Sequence, residues 1–438
     1  MTPAAFTTSD VAYWFPPEEF APRRETVFDK IGSDAYAILQ GAGPVRGFEV
    51  FRQANEFFYL CGVEIPQAYL LLDGKTRKAS IFLPHRPARG ESETLAAEDA
   101  DILKEKTGLD AVYGLEALEE KVANIAILYT PHSPAEGRCQ SRDVLQHYAR
   151  TVSKDPWDGE ISREDRFIAR LRSMVGEIRD LTPVLDPMRL IKSPREVELM
   201  RWTGKLTGLA VKEAIQATRP GMREYHLEAI ADQLYRSNGA RHEGYCAIVP
   251  SGASIWHAHY NRNDGLLTDG DLVLMDYAPD VCSYTNDIGR MWPINGKYSP
   301  LQRELYGFMV EYHKAVLKRI RPGVLPLDLL AAAAEEMRPI VEKTAFSKPI
   351  YAEAATRTLA FRGHLSHPVG MAVHDVGSYF EFSMQPGLVI SIDPQMWVPE
   401  ERLYIRVEDT IVVTDTGMEI LTGHVPIELD EIEALMGA

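Results

Sequence analysis

Residues 271–294 read DLVLMDYAPDVCSYTNDIGRMWPI. The apolar run Leu272–Met275 ends on Asp276, and Asp287 follows eleven positions later at the head of a second apolar run. The turn-like APDVCS between them lets the two segments lie side by side as strands, with both carboxylates at one point. Two ionised carboxylates that close repel, and one pKa rises unless a cation sits between them. A bound divalent metal resolves the conflict. Each Asp can also be a separate strand-end residue, and for the pair alone that plainer reading carries more weight.

Carboxylates recur downstream in the same setting. Asp393 interrupts LVISIDPQMWV (388–398) and Glu408 interrupts LYIRVEDTIVVT (403–414); a carboxylate inside an apolar strand is costly unless paired or ligated. Asp409 is next to Glu408, and strand alternation sends the two to opposite faces. Arg406, two positions before Glu408, shares its face and can partner a carboxylate ligand or form an ordinary salt bridge. His367 and His374 lie in GHLSHPVGMAVHDVG (363–377), where Pro368, Gly370 and Gly377 forbid a long helix. Imidazole can ligate a metal or donate to an oxyanion; His364 and Asp375 are read as orienting groups. Four carboxylates with one or two imidazoles suit Mn²⁺, Co²⁺, Zn²⁺ or Fe²⁺. The set is too carboxylate-rich for a closed structural zinc site.

The 438-residue chain suggests two domains. Its 47 basic and 63 acidic residues leave a net charge of −16, which disfavours general nucleic-acid binding. Cys61, Cys139, Cys246 and Cys282 form no CxxC pair, against a disulfide scaffold or thiolate zinc site; reduced, mostly buried thiols are expected. No apolar run reaches the ~18 residues of a membrane helix, and Met1–Pro17 lacks the pattern of a leader. The expectation is a cytoplasmic protein, with a trimmed secreted form left open.

The first 180 or so residues read as mixed α/β. Ala68–Leu72 and Ala79–Leu83 flank DGKTRK as a hairpin, Ala126–Tyr129 is a buried strand, and Glu164–Arg179 a helix. Near Leu185 the texture changes. Ser193, Pro194 and Glu196 form a helix-start signature, with a second helix over Arg223–Ser237. YCAIVPSG, SYTNDIGRMWPI, VISIDPQMWV and RLYIRVEDTIVVTDTG read as strands, and Pro300–Arg319 and Pro326–Phe346 as helices. The expected division is 1–184 and 185–438.

The stretches IVPSGASIWHAHY (248–260), SHPVGMAVHDVG (366–377), QPGLVISIDPQ (385–395), YIRVEDTIVVT (404–414) and 269–306 together resemble the pita-bread (creatinase/aminopeptidase P/prolidase) metallopeptidase family, in its Xaa-Pro aminopeptidase and prolidase branch. RLIKSPREVELMR (189–201) and FRQANEFFYLCGVEIPQAYLLL (51–72) extend the likeness over nearly the whole chain. The resemblance implies an α+β protein: a smaller α/β N-terminal domain, then a catalytic domain with a curved antiparallel sheet covered by helices. It implies metal ligands at Asp276, Asp287, His367, Asp393 and Glu408, holding two divalent ions per chain, Mn²⁺ foremost, with Zn²⁺ or Co²⁺ as alternatives. His374 would steady the tetrahedral intermediate, His259 would contact substrate, and Tyr245 and Arg406 would support the ligands. The implied reaction is cleavage of the Xaa-Pro bond at a peptide N-terminus by a metal-bridging hydroxide, with Asp393 also shuttling a proton. Prolidase action on Xaa-Pro dipeptides, or an impaired or creatinase-like hydrolase, is the alternative. Proline-containing peptides are the expected partners and a homodimer or higher homo-oligomer the expected assembly, with no nucleic acid and no membrane.

The sequence departs from the family pattern at named places. Asp393-Pro394-Gln395 stands where Glu-Pro-Gly is expected, and Asp is one methylene shorter. Trp397 stands where a Tyr is frequent. The run Asn286-Asp287-Ile288-Gly289-Arg290 replaces Gly-Asp-Ile-Thr-Arg.

Overall fold

The computed structural model describes all residues except 1–10, 88–94, 158, 160, 364 and 438; most of the stretch inspected for a leader therefore lies outside the described residues. The chain divides into two compact units, Asp10–Arg189 and residues 190 onward. The expected 184/185 division falls inside the helix Thr182–Leu190.

The first unit is built on one six-stranded sheet. Its strands are β1 (Tyr36–Gln40), β2 (Tyr69–Asp73), β3 (Lys78–Leu83), β4 (Ala111–Gly114), β5 (Ile127–Thr130) and β6 (Glu177–Asp180), in the order β4-β3-β2-β1-β5-β6. The expected hairpin is β2–β3, closed where Asp73 pairs Lys78. Ile38, Leu71, Phe82, Leu128 and Leu171 form a buried core on this sheet. The expected helix over Glu164–Arg179 is instead a helix Arg163–Arg172 followed by β6. Helical periodicity gives way at Gly176, whose missing Cβ would lie 2.6 Å from the Ala126 carbonyl oxygen, so β6 packs tightly beside β5 in parallel.

In the second unit the helix Pro194–Ala217 starts as its sequence dictates. Ser193 Oγ accepts from the Glu196 N–H, and the Glu196 carboxylate accepts from the Ser193 N–H. Helices Glu224–Ser237, Pro300–Leu317 and Pro326–Lys343 follow the expected spans, the last two ending early; Pro349–Ala360 is an additional helix. The strands are β7 (His242–Glu243), β8 (Leu272–Met275), β9 (Pro279–Asp280), β10 (Ile288–Pro293), β11 (Val389–Ile392), β12 (Gln395–Val398), β13 (Leu403–Arg406), β14 (Glu408–Val413) and β15 (Met418–Ile420). The central antiparallel sheet runs β11-β14-β10-β8, with β15 on β14; the α+β expectation holds.

Three expected strands are interrupted, each at a chemically interesting place. YCAIVPSG makes only isolated bridges, one of them Ile248 to Asp276. VISIDPQMWV breaks at Asp393-Pro394 into β11 and β12, since Pro lacks the ladder N–H. RLYIRVEDTIVV breaks at Val407 into β13 and β14. The thiols are less buried than expected: Cys61 is buried, Cys139 and Cys282 are half-buried and Cys246 is exposed. Among the described residues no helix is long and apolar enough to cross a membrane.

Candidate active site

Strand register gathers the acidic residues. Arg290 of β10 pairs Met275 of β8, so the next step outward sets Asp276 against Gly289. Gly289 in turn pairs Glu408 at the start of β14. Asp287, two residues before Gly289, lies on the same face of the chain. Thr410 fixes it: its Oγ1 accepts from the Asp287 N–H and donates to the Asp287 carbonyl, both at 2.8 Å. The loop bearing His367 is stitched to β11, where the Ser391 N–H donates to the His367 carbonyl at 2.9 Å and Pro368 bridges Ile390.

Asp287, His367 and Glu408 each offer one ligand atom, and these atoms lie within 4.8 Å of one another. His367 Nε2 is 3.4 Å from Asp287 Oδ2. Its Nδ1 lies 3.2 Å from the Pro368 carbonyl, a partner that places the proton on Nδ1 and turns the Nε2 lone pair towards the acids. Tyr245 Oη donates to Asp287 Oδ1 at 3.0 Å. Asp287 and Glu408 are almost fully buried. Burial first, and then neighbouring carboxylates, push both carboxyls well above their usual range. A divalent cation bound here would relieve that cost, and the one-nitrogen, oxygen-rich donor set fits Mn²⁺, Zn²⁺ or Co²⁺.

Asp276 and Asp393 converge on the same place but lie outside this three-residue group. Both are held by Arg406, through Nη1 to Asp276 Oδ2 at 2.7 Å and Nε to Asp393 Oδ1 at 3.0 Å, and its Nη2 donates to Glu408 Oε2. Gln395 Nε2 donates to Asp393 Oδ2, while Trp397 Nε1 donates to Gln395 Oε1 at 3.3 Å. Ser391 Oγ donates to Glu408 Oε1. Burial opposes the Arg406 charge, but Asp393, Glu408 and Asp276 outweigh it and hold the guanidinium protonated. Asp276 Oδ1 is buried without a hydrogen-bond partner among the described residues, an acceptor suited to a cation or water.

His374 packs at a tilt beside His367, ring centroids 4.1 Å apart, and its ring centroid lies 6.5 Å from that of His259. Burial, with Arg406 nearby, lowers the His259 pKa and favours its neutral ring. His364 lies outside the described residues. Asp375 pairs with Lys192 at 3.0 Å, a fully buried ion pair. A cavity of about 290 Å³ lies against Asp393, Gln395 and Trp397, walled by Tyr312, Phe361 and Leu365.

Asp409 turns away from the centre, as alternation requires. It accepts from Arg290 Nη2 at 2.6 Å and Thr422 Oγ1 at 2.6 Å, and His313 Nε2 lies 3.0 Å away. The sequence reading missed this network behind the site. An arginine in the apolar strand DIGRMWPI was the available signal for Arg290; His313 on a helix gave none.

The family model described as "Metallopeptidase family M24" matches residues 198–415, and "Aminopeptidase P, N-terminal domain" matches residues 20–131. The Xaa-Pro aminopeptidase of Escherichia coli is 31% identical over 96% of this chain and 98% of its own. The chain belongs to metallopeptidase family M24. This M24 chain is also 28% identical to the human Xaa-Pro dipeptidase, over 93% of its own length and 89% of that protein. It superposes on the structure of aminopeptidase P from E. coli with the inhibitor Pro-Leu at a TM-score of 0.80, with 29% identity, covering 97% of this M24 chain and 98% of the other.

Proposed function

We propose that this chain is a metal-dependent Xaa-Pro aminopeptidase, removing the residue that precedes proline at a peptide N-terminus. The observation that carries the reading is the convergence of ligand atoms of Asp287, His367 and Glu408 within 4.8 Å, with His374 packed beside His367. A divalent ion held by those three residues, Mn²⁺ for preference, would supply Lewis acidity and an activated nucleophile at neutral pH. The likeness of the first unit to the aminopeptidase P N-terminal domain favours peptides over dipeptides. A cytoplasmic homodimer belongs to the same proposal and rests on composition and the family resemblance.

Within this reading, the protein's own groups divide the work. His374 donates a hydrogen bond to the oxyanion that develops as the scissile carbonyl becomes tetrahedral. His259, held neutral by burial, faces the same space as a hydrogen-bonding group for substrate. Tyr245 orients Asp287 through its 3.0 Å hydrogen bond. Asp393, with each oxygen already accepting a hydrogen bond, orients Arg406. The cavity beside it offers a largely apolar chamber for part of the substrate. The test incubates the Mn²⁺-loaded protein with Xaa-Pro-Yaa tripeptides, Xaa-Pro dipeptides and Xaa-Ala-Yaa controls, with products read by mass spectrometry. Release of the first residue from the tripeptides, faster than from the dipeptides, supports the proposal. Preference for the dipeptides favours a prolidase, and no cleavage of any of them refutes the reading.

A further inference from the structure

We propose that the guanidinium of Arg406 is the second cation of this centre, so that the chain binds one divalent ion where the resemblance implied two. The inference rests on the metallopeptidase reading above and concerns how its site is filled. Three nitrogens of Arg406 reach three different carboxylates, Asp393 through Nε, Asp276 through Nη1 and Glu408 through Nη2. Two of these, Asp276 and Asp393, are the expected ligands that fall outside the Asp287–His367–Glu408 group. A guanidinium is always charged, planar and a donor only, so it neutralises carboxylates while excluding a metal from the space it fills.

The surroundings are shaped to keep it there. Gly289 faces the guanidinium: a Cβ at that position would lie 3.3 Å from Arg406 Nε and 3.1 Å from Glu408 Cβ. The missing side chain is therefore the room that Arg406 uses. On the far side both oxygens of Asp393 are engaged. Its Oδ1 is held by Arg406 and its Oδ2 by Gln395, which Trp397 braces in turn. Gly289, Asp393, Gln395 and Trp397 are four of the positions at which the sequence leaves the family pattern, Asn286 being another; in the structure Gly289 and Asp393 lie against Arg406, Gln395 holds Asp393, and Trp397 holds Gln395. Asp276 Oδ1 remains an open acceptor, a single oxygen whose companion Oδ2 is already paired.

The test is metal stoichiometry, independent of turnover. The full chain is stripped with chelator, equilibrated with Mn²⁺, desalted, and measured by elemental analysis and by electron paramagnetic resonance, which separates isolated Mn²⁺ from an exchange-coupled pair. One Mn²⁺ per chain with an isolated-ion spectrum is expected; two with a coupled spectrum overturns the proposal while leaving the peptidase reading intact. No bound Mn²⁺, with no cleavage of Xaa-Pro peptides, overturns both. Arg406→Met is expected to take up a second ion and give the coupled spectrum. Gly289→Thr, which keeps the charge but crowds it out, is expected to shift in the same direction. A folded Arg406→Met protein that still binds one ion also overturns the proposal, and the wild-type stoichiometry decides it even where neither variant folds.

Discussion

Replacing Lys192 by Met should destabilise the catalytic unit strongly, and the size of the effect follows from one contact. Lys192 Nζ lies 3.0 Å from Asp375 Oδ2, with both side chains 1% exposed. Gly370 closes over the pair, since a Cβ there would sit 2.2 Å from the carboxylate and 2.9 Å from the ammonium. The gross attraction at 3.0 Å and an effective dielectric of ~20 is about 5.5 kcal/mol. Removing one member of a buried pair costs about 3–5 kcal/mol, because the remaining charge keeps its desolvation penalty. Met has similar length and no charge, so the loss is electrostatic rather than a cavity. For a unit of about 250 residues each kcal/mol moves Tm by about 2–4 °C, giving a fall of about 6–20 °C. Scanning calorimetry of the wild type, Lys192→Met and Lys192→Met/Asp375→Asn measures it, and the double variant should recover much of the loss. Turnover should fall as well, since Asp375 adjoins His374. A Lys192→Met transition within about 2 °C of wild type would refute the reasoning.

Other substitutions separate the roles at the centre. His374→Ala should lower kcat by ~10²–10³ with metal content unchanged, read by steady-state kinetics and elemental analysis; unaltered turnover removes His374 from catalysis. His367→Ala should abolish stoichiometric metal binding after desalting, because only two carboxylates of the group remain; full retention places the ion elsewhere. Asp393→Glu should keep or raise metal occupancy, and a clear loss would show that the backbone is built around the shorter side chain. Asp409 is held below its usual pKa: burial opposes this, but Arg290 and His313 prevail. The unfolded chain therefore binds this proton first, and the stability Asp409 contributes is present above its unfolded pKa of about 3.9 and lost as pH falls below it. Asp409→Asn should destabilise at neutral pH and flatten the acid limb of a urea-midpoint series from pH 7 to 3; an unchanged acid limb assigns acid sensitivity to other groups.

The site was more legible than the elements that carry it. Asp276, Asp287 and Glu408 stand out because a carboxylate ending or interrupting an apolar run is expensive unless paired or ligated, although for the Asp276–Asp287 pair alone the plainer strand-end reading carried more weight. Alternation also separated Glu408 from Asp409 correctly, sending the second into the Arg290–His313 network. The failures have physical causes. Helical periodicity through 164–179 cannot register that Gly176 lets β6 close against Ala126. Propensity treats VISIDPQMWV and RLYIRVEDTIVV as continuous strands, whereas the breaks at Pro394 and Val407 turn Asp393 and Arg406 towards each other. The position of Arg406 was beyond the sequence for a similar reason. Its reach depends on the side chain missing at Gly289, more than a hundred residues away, and on an amide at Gln395, a combination that no spacing rule encodes.

The most direct measurement is anomalous diffraction from crystals of the full chain soaked in Zn²⁺, recorded at the metal's absorption edge. The account predicts one strong peak about 2.0–2.2 Å from donor atoms of Asp287, His367 and Glu408, with the Arg406 guanidinium still between Asp276 and Asp393. A saturated crystal with no peak at those three residues would contradict the metal centre itself.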